Sequence, residues 1–160
     1  MKILIISDTH GRQSNLKKVL EREGRPDHVL HLGDVEHAEE RIIRMVGCPV
    51  DMVAGNCDYF SDLPSVKIVE LDGCRIMMTH GHYYFVSVGV ADLADAAKEN
   101  NCDVVMFGHT HKPLFNEDDD KITILNPGSL SYPRQEGRKP SYIMMETYGD
   151  GKADFEVKYL

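Results

Sequence analysis

Seven side chains able to hold metal ions fall in five short stretches: "DTH" (Asp8, His10), "GD" (Asp34), "GNCD" (Asn56), "THGH" (His80) and "GHTH" (His109, His111). Asp, Asn and His offer oxygen and nitrogen donors suited to Mn²⁺, Zn²⁺, Fe²⁺, Ni²⁺ or Mg²⁺, and a carboxylate can bridge two such ions. Five of the eight histidines (His10, His80, His82, His109, His111) stand just past an apolar, strand-like run. If the strands share a direction, these groups converge on one sheet edge, where α/β folds carry chemistry on loops. In extended backbone alternate side chains point the same way, so both members of D-x-H or H-x-H would reach one cluster. Each stretch alone is weak, since a lone "GD" or "GN" is usually just a turn. Their joint occurrence, in order and each after a strand, favours a metal site over a solvated loop edge.

The elements that must position these residues alternate β and α in the first half of the chain and are mostly β in the second. Lys2–Ile6 is an apolar, β-branched run, expected of a strand buried on both faces. Ser14–Glu23 has Leu16, Val19 and Leu20 at helical spacing and is ended by Gly24 and Pro26. Residues 29–32 and 49–53 read as short strands, with a helix over 36–46 between them whose Ile42, Ile43 and Val46 share one side. Val66–Leu71 and residues 75–79 flank "DG", a strong hairpin signal. Residues 90–98 read as a helix and 103–107 as the strand leading into "GHTHKP". Residues 122–125, Ser141–Thr147 and Ala153–Tyr159 are strand-like, with turns at "EDDDK" (117–121) and "GDGK". No repeat or linker interrupts residues 1–160, so one domain is expected, with two sheets and helices outside.

Composition narrows the function classes. Hydrophobic residues make up 42% and charged ones 28%, an ordinary globular mixture. Cys48, Cys57, Cys74 and Cys102 form no C-x-x-C pair, which argues against a structural zinc or a disulfide framework and for a reducing, cytoplasmic setting. The start, "MKILIISDTHG", has too short an apolar stretch for a signal peptide, and no run approaches membrane-span length. A net charge of −8 predicts no non-specific nucleic-acid binding, because phosphate neutralisation needs clustered Lys and Arg. It tolerates a site packed with cations. The oligomeric state stays open, and a homodimer would be unsurprising.

The ordered set "DTH", "GD", "GNCD", "THGH" and "GHTH" resembles the calcineurin-like metallophosphoesterase superfamily, whose pattern is D-x-H, G-D, G-N-H-[DE], H and G-H-x-H. The resemblance continues into "NPGSLSYPR" (126–134), typical of its small bacterial and archaeal phosphodiesterase branch. It implies the metallo-dependent phosphatase fold, a four-layer α-β-β-α sandwich of two mixed sheets flanked by helices. It implies a dinuclear site of two divalent ions, with Mn²⁺ the first choice: one ion held by Asp8, His10 and His111, the other by Asn56, His80 and His109, with Asp34 bridging. The implied activity is hydrolysis of a small phosphodiester by a metal-bridging hydroxide attacking phosphorus in line. The resemblance also allows a non-catalytic protein-binding scaffold, the use a retromer subunit of the superfamily makes of this fold after losing metal ligands. Here all seven ligand positions are filled.

Cys57 departs from the pattern, standing where the superfamily has the His that helps the leaving group depart. A thiol of pKa about 8.5 is a poorer acid than imidazolium at about 6.5, a handicap of about 2–3 kcal/mol. Aryl diesters, whose leaving groups need no proton, are therefore the expected substrates. His82 is a candidate substitute donor, with orientation of His80 or of a loop as its other reading. A covalent role for Cys57 would need an activating base and an oxyanion site that two metals make redundant. Arg12 and Arg134 could contact substrate phosphate but read first as solvated surface cations, and His28, His31 and His37 lie outside the motifs. An amidohydrolase also uses H-x-H, but on the first strand of a barrel of typically about 250 residues.

Overall fold

A computed structural model describes residues 1–117 and 121–160; the middle of the acidic turn expected at 117–121 lies outside the described residues. Among the described residues, ten strands and three α-helices follow in the order β1 (Lys2–Ile6), α1 (Ser14–Glu23), β2 (His28–His31), α2 (Glu39–Val46), β3 (Val50–Met52), β4 (Val66–Leu71), β5 (Cys74–Thr79), α3 (Ala91–Glu99), β6 (Val104–Met106), β7 (Pro113–Glu117), β8 (Thr123–Pro127), β9 (Ser141–Thr147) and β10 (Ala153–Tyr159). They form two five-stranded mixed sheets, β10-β9-β1-β2-β3 and β4-β5-β6-β8-β7.

Alternation along β1 shows how the layers are made. Ile3 and Ile5 point into the core between the sheets, with Leu30, Leu32, Ile76, Met78 and Met106. Leu4 and Ile6 point the other way, onto Leu16 and Val19 of α1 and Ile42 and Val46 of α2. The outer face of the second sheet, through Met77 and Val105, is covered by Leu93, Ala94 and Ala97 of α3. Four layers, α-β-β-α, result. Truncating a fully buried residue such as Ile5 to Ala would cost about 2–5 kcal/mol.

Parallel pairing sets the site. β1, β2 and β3 run parallel with Ile6, His31 and Met52 in register, so the loops after them leave the sheet side by side. β5, β6 and β8 do the same in the second sheet. The carboxyl ends of both parallel sets carry the polar stretches.

Two differences from the sequence reading have physical causes. β7 has no alternating pattern; it begins with Pro113 at the edge of its sheet, where the missing N–H breaks no ladder. The second helix starts at Glu39 because Glu36 and His37 take left-handed backbone (φ 54° and 59°).

Candidate metal centre

All seven ligand candidates come together at the edge where the two sheets meet. Asp8 and His10 follow β1, Asp34 follows β2 and Asn56 follows β3, while His80 follows β5 and His109 and His111 follow β6. Donor atoms of Asp8, His10, Asp34 and His111 all lie within 4.8 Å of one another. Asn56 Oδ1 stands 3.1 Å from His80 Nε2 and 2.8 Å from His109 Nδ1. Asp34 Oδ2 lies between the groups, 3.7 Å from His10 Nε2 and 3.5 Å from His80 Nε2.

Extended backbone does not bring the pairs together. Asp8, His10, Asp34, His109 and His111 all have positive φ, between 46° and 65°. That conformation costs on the order of 1 kcal/mol per non-glycine residue and is kept where surrounding bonds overdetermine it. Those bonds are present. Asp8, His10 and Gly11 donate their N–H groups to carbonyls of Gly33, Asp34 and Val35, tying the first loop to the second. Two glycines permit the approach: a Cβ at Gly33 would stand 2.7 Å from His80 Nδ1, and one at Gly108 would stand 2.9 Å from Asp8 Oδ2.

Hydrogen bonds behind the cluster fix which nitrogens face it. His80 Nδ1 lies 2.7 Å from the Leu32 carbonyl and His111 Nδ1 2.7 Å from the Tyr132 carbonyl. Carbonyls only accept, so both Nδ1 atoms carry a proton, and Nε2 is the nitrogen that each ring can offer to a metal. His10 is held likewise, through Nδ1 and Glu36 Oε1 at 2.6 Å. In the neutral rings the faces turned inward are therefore lone pairs opposite carboxylate and amide oxygens. His80 Nε2 faces Asn56 Oδ1, and Asn56 turns its amide N–H toward Cys57 Sγ. His111 Nε2 is 2.9 Å from Asp8 Oδ1, yet the pair is not aligned as a hydrogen bond. Asp8 Oδ1 and His10 Nε2 are buried without a hydrogen-bond partner among the described residues. Acceptors facing acceptors in a buried site call for a cation between them, and this donor set fits divalent first-row ions.

Electrostatics agrees. Burial would raise the Asp8 carboxyl, but His111 and His80 overcome it and hold Asp8 below the usual carboxylate range. Burial would lower His111, but its contact with Asp8 holds it above the usual imidazole value. His109 is lowered, by burial first and then by His80.

Cys57 and His82 flank the cluster. The Cys57 N–H donates to Asp34 Oδ1 at 2.8 Å, and burial followed by the Asp34 charge pushes the thiol up to about 12. His82 opens a short 3₁₀ turn (His82–Tyr84), its ring 5.5 Å from His80 and 6.2 Å from His109. Burial, then His80 and His109, lower its pKa. Leu32, not His82, orients the His80 ring.

Supporting residues lie both inside and outside the motifs. His31 is fully buried, accepts the Gly33 N–H at Nδ1 and so turns its Nε2–H toward Thr9 Oγ1 (2.9 Å), clamping the first two loops. Asp58 accepts the N–H groups of Glu36 and Gly55. The stretch "NPGSLS" does similar work: Asn126 donates to the Gly108 carbonyl, Ser129 to that of Asp8 and Ser131 to that of Thr9. A polar residue just past a strand was the available sign for Asn126; His31, inside an apolar strand, offered none.

Residues 1–150 match the family model for the calcineurin-like phosphoesterase superfamily domain, and the chain belongs to that superfamily. It is 33% identical over 151 residues to a probable metallophosphoesterase of Bacillus subtilis, covering 94% of this chain and 86% of that one. It is 32% identical over 145 residues to a phosphodiesterase of Methanocaldococcus jannaschii, covering 80% and 83%. A Streptococcus pneumoniae protein described as a predicted phosphoesterase superposes with a TM-score of 0.78 at 27% identity, over 98% of this chain and 97% of that one. Vps29 of Entamoeba histolytica, in complex with zinc, shares the fold with a TM-score of 0.79 at 24% identity over 99% of both chains.

Proposed function

We propose that this metallophosphoesterase is a phosphodiesterase with a dinuclear centre, in which Asp8, His10 and His111 hold one divalent ion, Asn56, His80 and His109 the other, and Asp34 bridges. The observation that carries the reading is the ring of bare acceptor atoms, each imidazole of His10, His80 and His111 being anchored from behind by an oxygen. Mn²⁺ is the first choice, ahead of Ni²⁺, Fe²⁺, Zn²⁺ and Mg²⁺, for a mixed oxygen and nitrogen donor set. Two such ions would supply an activated water as the nucleophile and neutralise charge on the phosphoryl oxygens. The chain itself orients its ligands, through Leu32, Tyr132 and Glu36, and excludes water behind Asp8 and His80, both 0% exposed. It presents no ready proton to the leaving group: the raised Cys57 thiol is a weaker acid, and the lowered His82 imidazole holds its second proton less readily. Diesters with leaving groups that depart unaided are the substrates this arrangement suits. A relative named as a phosphodiesterase supports the same class. The four free cysteines suit a reducing cytoplasm.

The test is a panel of aryl and alkyl mono- and diesters run with Mn²⁺, Ni²⁺, Mg²⁺ and Zn²⁺ separately. Metal-dependent turnover that favours aryl diesters is expected. Protein that holds no metal when purified without chelator and cleaves no ester would leave the binding scaffold as the better reading.

A further inference from the structure

A cavity of about 560 Å³ opens beside His10 and His111 and is otherwise lined by Tyr132, Pro133, Arg134 and Arg138. It has room for more than the scissile phosphate. Among the described residues no carboxylate lines it. In a chain of net charge −8, cations such as Lys2, Lys67, Arg44 and Lys158 are paired with carboxylates. The Arg134 and Arg138 guanidinium groups have no hydrogen bond or ion pair among the described residues. Both are exposed, as the sequence reading of Arg134 as a surface cation expects, and both line this cavity.

The segment that carries these arginines is fixed to the metal loops. The Arg134 N–H donates to the His111 carbonyl at 3.0 Å, and the Arg138 N–H to that of Gln135 at 3.0 Å. Tyr132 closes one side, its ring centre 5.1 Å from that of His10 in an edge-to-face arrangement and the Arg12 guanidinium carbon 4.8 Å from its centre. A guanidinium fork matches phosphate, as it does carboxylate, through two parallel hydrogen bonds, and a phosphate brings the larger charge to two such forks.

We infer that this cavity receives a second phosphate: one arm of the diester carries a further phosphate group, held by Arg134 and Arg138 while the scissile phosphate sits at the Asp8–His10–Asp34–His111 cluster. The inference rests on the phosphodiesterase reading and narrows it to small, multiply phosphorylated diesters. A long polyanion is disfavoured by the overall negative charge, whereas a short one meets a local positive edge. Two exposed cations give discrimination rather than an absolute requirement, about tenfold together.

A matched pair of substrates tests it: the p-nitrophenyl ester of thymidine 5′-phosphate, with and without a 3′-phosphate. Alongside turnover, calorimetry compares binding of thymidine 3′,5′-bisphosphate and thymidine 5′-phosphate. The wild type should prefer the 3′-phosphorylated member about tenfold in both kcat/KM and Kd. In Arg134→Gln/Arg138→Gln both preferences should fall to about one, with Arg134→Lys/Arg138→Lys keeping part of each. A wild-type ratio near one, or an equal loss on both substrates in the Gln variant, overturns the proposal. If neither ester is cleaved but bisphosphate still binds about tenfold tighter in the wild type alone, the reaction reading fails and the cavity assignment stands.

Discussion

The two sheets bring different atoms to the edge they share. Loops of the first sheet deliver the oxygens, Asp8, Asp34 and Asn56, with His10 as their one imidazole; loops of the second deliver only imidazoles, His80, His109 and His111. Buried carboxylates set side by side repel and lose hydration; Asp34 takes one donor from its own sheet, the Cys57 N–H, but the pair also needs donors or cations from outside that sheet. Those come across the seam: the His109 N–H donates to Asp8 Oδ2, and His80 hands its own Nδ1 proton to the Leu32 carbonyl of the first sheet. Neither proposed ion belongs to one sheet, because Asp8 and His10 need His111 while His80 and His109 need Asn56. Metal binding and the packing of the sheets are therefore coupled.

The strongest way to break this picture is at the bridge. Asp34→Asn removes one of the two carboxylates assigned as metal ligands and should weaken both ions while the fold stays intact. A loss in kcat/KM of roughly 10³-fold is expected, equivalent to about 4 kcal/mol of transition-state stabilisation. Metal analysis beside circular dichroism checks it. Turnover near the wild-type level with two ions still bound would rule out a shared bridge.

The second sheet offers a finer cut. His109 and His111 come from one loop but are assigned to different ions, so His109→Ala and His111→Ala should each drop metal content from two toward one. Activity should fall about 10²-fold in either variant, since one ion cannot clamp both attacking and leaving oxygens. Stripping the wild type with chelator should lower its Tm, because ions that bind only the folded state stabilise it by mass action. If one variant kept both ions and full turnover, the division of "GHTH" between two metals would be wrong.

The halves of the molecule also differed in how much their sequence disclosed. Ligand types and order were legible, because each closes an apolar run and parallel strands bring such ends together. β1, α1, β4, β9 and β10 were legible to the residue, since their patterns are long and unambiguous. The means of convergence was not: left-handed backbone at Asp8, His10, Asp34, His109 and His111 depends on bonds between distant loops. Glu36 was invisible for a related reason. It lies where a helix was expected, and its bond to His10 exists only because the helix starts late.

Glu36 separates positioning from charge. Glu36→Ala frees the His10 ring, and loss of such a supporting group typically weakens metal binding by about 10–100-fold. The Glu36 side chain is 39% exposed, so the lower end is expected here. Glu36→Gln still accepts the His10 Nδ1 proton and should recover most of the affinity. Titration of the Ala and Gln variants with Mn²⁺ reads both, and equal losses would make the carboxylate charge, not the hydrogen bond, the operative feature.

The smallest effect is expected at Cys57, which belongs to the first sheet's loops yet contributes no ligand to either ion. Its backbone N–H on Asp34 survives substitution, so the bridge keeps that support in Cys57→Ala. On an activated aryl diester, whose leaving group needs no proton, this variant should stay within about threefold of the wild type. Cys57→His should behave differently. An imidazolium there supplies both a proton and a positive partner, and a well-placed general acid is worth about 10²–10⁴ in rate. The gain should appear on phosphomonoesters with poor leaving groups and be absent on aryl diesters. Imidazole is larger than a thiol and must fit beside Asp34 and Asp58, so part of the gain will be lost to misplacement. The measurement is kcat/KM for both variants on matched mono- and diesters at saturating metal. A Cys57→Ala protein that binds both ions but is dead on the aryl diester would make the thiol an essential participant, and the vacant acid position would have to be sought elsewhere.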